Sequence, residues 1–173
     1  MGVAFLGAVV LYVVGLSIRD VYEVLKRGGR VNTMDTRVFA VVFSSMCGMW
    51  LSWFAVGMLA PTRLAFPPVV RLAGLAAVLL GAVVSVAGMW QLGGVENIDH
   101  LVKTGLFSRI RHPMYLGFVL WILGWCAYTG VVASLLLAPF GVASVLWWRQ
   151  LEESELAARY GSEYREYRAV TWF

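Results

Sequence analysis

Polar and apolar residues hardly alternate along most of this chain; the apolar ones run together. Stretches with few or no ionisable groups cover Gly2–Ile18, Val38–Ala60, Leu72–Gly93, Met114–Tyr128 and Val131–Trp148. A bilayer core needs roughly 20 helical residues to be crossed, about 17 at the short limit. The pattern therefore predicts an all-α integral membrane protein of about five transmembrane helices, the fourth being the shortest. The first run lacks a basic leader, and Arg19, Asp20, Lys26, Arg27 and Arg30 follow it where a cleavage site would need small residues, so it reads as a retained helix. No prenylation box closes the sequence, and no lipid anchor is expected.

Between the runs the pattern changes. Glu96–Pro113 is a polar loop, and Gln150–Tyr167 reads as an amphipathic helix in which Leu151, Leu156, Tyr160, Tyr164 and Tyr167 recur among charges. Pro61, Pro67, Pro68 and the Thr129–Gly130 turn mark short connections at the opposite ends of the spans. Gly74, Gly81 and Gly88, seven apart, leave a flat strip for close helix packing. One domain, residues 1–173, is expected, with three spans in 1–93 and the loop, a helical hairpin and the amphipathic helix in 94–173.

Composition agrees: 60% of the 173 residues are hydrophobic and 14% charged, against about 25% charged in an ordinary soluble domain. Charge also orients the chain. Twelve of the 14 basic residues (Arg19, Lys26, Arg27, Arg30, Arg37, Lys103, Arg109, Arg111, Arg149, Arg159, Arg165 and Arg168) and all ten acidic residues fall on one side of a five-span arrangement. Only Arg63 and Arg71 fall on the other. The positive-inside rule then puts the N-terminus outside and the amphipathic helix in the cytosol. The net charge of +4 follows from orientation and anionic headgroups, and no nucleic-acid-binding pattern accompanies it. Cys47 and Cys126 both lie within apolar runs and are expected to be small buried residues, with no disulfide framework and no metal site.

Reactive side chains concentrate in two places. The first runs from Asp99 to Tyr115, where Pro113 suits the opening turn of a helix whose free amides and dipole attract an anionic group, with His112 beside them. Asp99 and His100 read as ordinary loop residues, and Arg109, Arg111 and His112 equally suit interfacial anchors. The second cluster runs from Trp147 to Glu155. On a helix Arg149 reaches both Glu152 and Glu153, a set able to orient a substrate, steady a cation or accept a proton. A solvated helix with local ion pairs, with Trp147 and Trp148 in the interfacial belt, explains the same residues.

The two clusters in this order resemble the isoprenylcysteine carboxyl methyltransferases and their relatives, the phospholipid methyltransferases. The similar residues are Gly105-Leu106-Phe107, Arg111-His112-Pro113-Met114-Tyr115, Glu152-Glu153 and Tyr160-Gly161-Ser162-Glu163-Tyr164-Arg165-Glu166-Tyr167. The resemblance implies a multi-pass cell-membrane enzyme that holds S-adenosylmethionine in a cytosolic pocket outside any Rossmann fold. A lipophilic acceptor would enter from the surrounding lipid, with neither metal nor nucleic acid involved. By position it assigns Gln91, Leu101, Val102, Phe107, His112, Pro113, Met114 and Tyr115 to the cofactor, and Arg149, Glu152 and Glu153 to catalysis. The chain departs from the pattern at Trp148, where the family carries a substrate-binding arginine, and at Phe107, where a tyrosine often stands. It also lacks the family's proline-containing tail. Carboxyl O-methylation is the leading expectation, with head-group N-methylation of a phospholipid as the alternative. A non-catalytic membrane scaffold is a third reading. A transporter would need ionisable residues deep in the spans, and the sequence offers none.

Overall fold

A computed structural model describes residues 2–32, 35–93 and 100–173. The helices are α1 (Gly2–Arg27), α2 (Thr36–Leu59), α3 (Pro68–Leu92), α4 (Pro113–Thr129) and α5 (Val132–Val170), with a short 3-10 turn at Gly105–Ser108 before α4. Among the described residues there is no strand, only the isolated bridges Arg63–Val131 and Ile110–Trp172. Residues 94–99, the first part of the polar loop and the position of Asp99, lie outside the described residues; His100 is exposed.

Local chemistry sets the ends of the helices. Asp35 caps α2 by accepting the Arg37 amide at 2.7 Å, and prolines open α3 and α4, where a missing amide proton costs nothing. Gly93 and Gly130 close those helices in the left-handed conformation. Both basic residues of the sparsely charged side are spent on helix C-termini. Arg63 donates to the Gly57 and Met58 carbonyls at 3.1 and 3.0 Å, and Arg71 to the Tyr128 carbonyl at 3.2 Å, satisfying acceptors that a helix end leaves open.

Four helices, α1, α2, α3 and α5, are long and apolar enough to cross a membrane, and α4 is a shorter apolar helix of 17 residues. Val10, Leu51, Leu79, Val83 and Phe140 are among many large apolar side chains left exposed on the helices, a surface suited to lipid. The chain is thus a multi-pass membrane protein. Its helices pack as two hairpins, α1 with α2 and α3 with α4, joined by α5.

The strip at Gly74, Gly81 and Gly88 forms the seam of the second hairpin. A Cβ added at Gly81 would lie 2.6 Å from the Gly117 carbonyl oxygen, and one at Gly74 would lie 2.7 Å from that of Gly124. Glycines seven apart on α4 therefore answer those on α3, and Ser85 donates across the seam to the Met114 carbonyl at 3.2 Å. The core lies between α1, α2, α4 and α5 and contains Tyr12, Met49, Trp53, Ile122, Trp125, Val145 and Trp148.

Four expectations need correction. The first helix does not stop at Ile18: α1 runs on to Arg27 and buries Arg19 and Glu23 on the same face as Tyr12 and Gly15. The amphipathic segment is not a separate helix, because α5 continues through it and breaks only at Gly161 (φ 52°, ψ −115°). Its 29 residues before that break span about 43 Å, well beyond the bilayer core of about 30 Å. Finally, Trp148 is fully buried rather than interfacial, and Cys47 is exposed while Cys126 is buried.

Candidate active site

The loop before α4 is held from three directions. Behind it, the Gln91 side-chain carbonyl at the end of α3 accepts the Leu106 amide at 2.7 Å, beside Gly105, whose φ of +60° sets the turn. In front, the Tyr167 hydroxyl donates to the Phe107 carbonyl at 2.6 Å, with the Phe107 side chain buried. At the edge, Lys103 pairs with Glu163 at 2.7 Å. Leu101 and Val102 are half-buried along this loop.

The break at Gly161 turns the end of the chain back over the loop. Arg111 donates through its backbone amide to the Trp172 carbonyl at 3.1 Å, and Trp172 donates to the Arg109 carbonyl at 3.0 Å. The Arg111 guanidinium bonds the carbonyls of Arg168 and Thr171 and reaches Glu153 at 3.2 Å. It is a clamp between loop, tail and α5.

His112 caps the start of α4 and is buried. Its Nε2 lies 3.4 Å from Glu153 Oε1 and its Nδ1 3.8 Å from Glu152 Oε2. Arg168 approaches Glu153 from the tail at 3.7 Å. The His112 ring, opposed by burial and reinforced by Arg111, holds the Glu153 carboxyl at about 2, well below the usual carboxylate range. Glu152, with 38% of its side chain exposed, instead keeps an open face and stands within electrostatic reach of the Tyr115 hydroxyl. Burial, with Glu153 nearby, pushes Tyr164 up to about 12, and burial does the same for Tyr167. Both phenols therefore remain protonated donors.

Of the residues expected at the cofactor, His112 and Tyr115 stand beside Glu152 and Glu153, Phe107 is buried in the clamped loop, and Pro113 and Met114 lie against Gly88 of α3. Gln91 stands behind the loop as its brace. Arg149 lies with its guanidinium 4.9 Å from the Phe173 ring centre, and Glu153 draws its cations from the loop and the tail. Arg111, Tyr164, Tyr167, Arg168 and Thr171 join the site without having been assigned to it, since only the fold-back at Gly161 brings them together. A glycine inside the amphipathic segment was the available signal.

A second set comes from α1. Asp20 accepts from the Trp148 indole at 2.7 Å and from the Ser144 hydroxyl at 3.1 Å. Arg19 is in contact with Glu23, both buried, and its guanidinium lies 5.1 Å from the Trp148 ring centre and 5.3 Å from that of Tyr22. Arg19 and Glu23 also stand within electrostatic reach of Tyr115. In sequence these residues served only to orient the first span. The recurrence of 8, 12, 15, 19 and 23 on one helix face was the missed signal.

Such a site defines a multi-pass membrane protein with a cluster of ion-paired polar side chains at one end of an apolar helical bundle. Residues 69–163 match the phospholipid methyltransferase family, and the chain belongs to that family. It is 35% identical over 80 residues to protein-S-isoprenylcysteine O-methyltransferase of Schizosaccharomyces pombe, covering 42% of this chain and 32% of that protein. The enzyme of the same name from Saccharomyces cerevisiae is 37% identical over 82 residues, covering 42% of this chain and 31% of that protein. Methanethiol S-methyltransferase of Pseudomonas deceptionensis is 35% identical over 73 residues, covering 42% and 27%. The chain spans about a third of the length of the curated relatives it matches. No solved structure matches it.

Proposed function

We propose that this chain transfers the methyl group of S-adenosylmethionine to a lipophilic acceptor at the cytosolic face of a cell membrane. The observation that carries the reading is the meeting of His112, Glu152 and Glu153 beneath a tail locked over the loop by Arg111. Family membership and the names of the relatives support it.

The residues fit the cofactor. Arg149 Nε and Tyr164 Oη are buried without a hydrogen-bond partner among the described residues, and His112 Nε2 has only the long 3.4 Å approach of Glu153; a buried polar atom ordinarily has a partner. A ligand rich in hydroxyl, amine and carboxylate groups supplies such partners. His112, Tyr115, Tyr164 and the backbone of the loop would hold it, with Leu101, Val102, Phe107, Pro113 and Met114 providing the apolar wall and Gln91 fixing the loop. The bound cofactor supplies an activated methyl group. The protein's share is to hold donor and acceptor in line, exclude water and manage one proton.

The two carboxylates divide the work. Glu153, fixed by Arg111, His112 and Arg168, organises the pocket. Glu152, near Tyr115 and open to solvent on one side, receives a proton from the acceptor and passes it to water. The carboxylate of an isoprenylcysteine, which loses no proton, is the acceptor implied by the resemblance; a phospholipid amine or a thiol would need Glu152.

Calorimetric titration with S-adenosylmethionine and its demethylated product tests the reading. Saturable binding by the wild type, weakened at least about tenfold in His112→Ala, is the expected result, corresponding to the loss of one or two buried hydrogen bonds. Folded protein that binds neither compound would leave a non-catalytic scaffold as the better account.

A further inference from the structure

We propose that the inner end of α1 forms the acceptor side of this site, and that its excess of acid over base selects an acceptor with no negative charge, a thiol or an amine, against a carboxylate. The inference rests on the methyltransferase reading and adds the substrate class.

The geometry is that of the α1 cluster. Arg19, Asp20 and Glu23 lie within one turn of each other; Asp20 accepts from Trp148 and Ser144 of α5, Arg19 packs over the Trp148 ring, and Arg19 and Glu23 stand within electrostatic reach of Tyr115. Trp148 is one helical turn before Glu152 on α5, and Glu152 lies beside His112. The α1 cluster therefore borders the site on the side away from the clamped loop. Burying ionised groups costs several kcal/mol each unless they are paired, so three charges turned inward at a helix end are an expensive way to pack it.

The signs of those charges carry the argument. Arg19 is matched by Glu23, and its flanks are covered by the rings of Tyr22 and Trp148. Asp20 accepts from two donors, and Glu152 brings a second carboxylate not matched to Arg19. Arg111 and Arg168 face Glu153, and His112 stands between Glu153 and Glu152; Lys26 is turned to Glu155 at 3.5 Å, and Arg149 is under Phe173. An acceptor carboxylate would meet Asp20, Glu23 and Glu152 with one guanidinium already engaged, and like charges brought together in this way are strongly disfavoured. A thiol or amine meets no such repulsion. In the step that follows, a lone pair on its sulfur or nitrogen forms the bond to the methyl carbon. The methyl–sulfur bond of the donor breaks with its pair left on sulfur, and the acceptor's proton passes to Glu152 and then to water.

The test needs no turnover. A thiol, an amine and a carboxylate carrying the same alkyl tail are titrated into detergent-solubilised protein saturated with the demethylated cofactor. The thiol or the amine is expected to bind at least about tenfold more tightly than the carboxylate. Glu23→Gln, which releases Arg19, and Asp20→Asn should each narrow that ratio while leaving affinity for the demethylated cofactor unchanged. A purely structural role would weaken all three ligands together. Equal or tighter binding of the carboxylate by the wild type overturns the proposal while the methyltransferase reading stands. Failure to bind the demethylated cofactor at all overturns both.

Discussion

Glu153 is enclosed by Arg111, His112 and Arg168, whereas Glu152, one residue earlier, keeps an open face toward water with Tyr115 nearby. Substitutions should separate them. Glu152→Gln is expected to lower turnover about a hundredfold, within the range for loss of a general base, with thermal stability and cofactor affinity kept; unchanged turnover would remove the residue from the mechanism. Glu153→Gln should instead destabilise the fold by about 2–3 kcal/mol, below the 3–5 expected for a fully enclosed pair because Arg168 is exposed. The pH dependence follows from the direction of the shift. A carboxyl held at about 2 instead of its ordinary value near 4.5 contributes stability that is complete above about 4.5 and lost as pH falls through about 2. Thermal unfolding of wild type and Glu153→Gln should therefore differ at neutral pH and converge near pH 2.

At the scale of elements, the α3–α4 hairpin depends on backbones in near contact along Gly74, Gly81, Gly117 and Gly124. Gly81→Leu is expected to cost about 3 kcal/mol, the upper end for overpacking, because the obstructing atom is the Gly117 carbonyl oxygen and not a movable side chain. Unfolding in detergent measures it, with Val83→Leu on the exposed face as control. The hairpin also positions the site, since α4 begins one residue after His112 and α3 ends one residue past Gln91. The α1–α2 hairpin, by contrast, brings Arg19, Asp20 and Glu23 against α5, so acceptor and cofactor are assigned to different hairpins.

For the molecule as a whole, the closing device is the fold-back at Gly161. It lays Thr171 and Trp172 on Arg111 and Arg109 and Phe173 on Arg149. Removal of Thr171–Phe173 should weaken binding of the demethylated cofactor about tenfold, through loss of the clamp's charge-assisted hydrogen bonds, while the apolar bundle keeps its unfolding temperature. Calorimetry and thermal unfolding of the same truncated protein distinguish this from general destabilisation.

The five apolar helices, their boundaries to within a turn at most ends, and the glycine seam were all legible in the sequence. They rest on local rules: run length against bilayer thickness, proline and glycine at helix ends, and spacing on one helix face. His112, Glu152 and Glu153 could be picked out by order along the chain. Their division of labour could not, because it depends on which cations surround each carboxylate, and those come from a loop and a tail between 15 and 42 residues away. Arg19, Asp20 and Glu23 were hidden for a related reason. Charges at the end of an apolar run look alike whether they face headgroups or a neighbouring helix, and only the packing of α1 against α5 turns them inward. The tertiary structure decided that, since the environment of a charge belongs to the groups around it and not to its own residue.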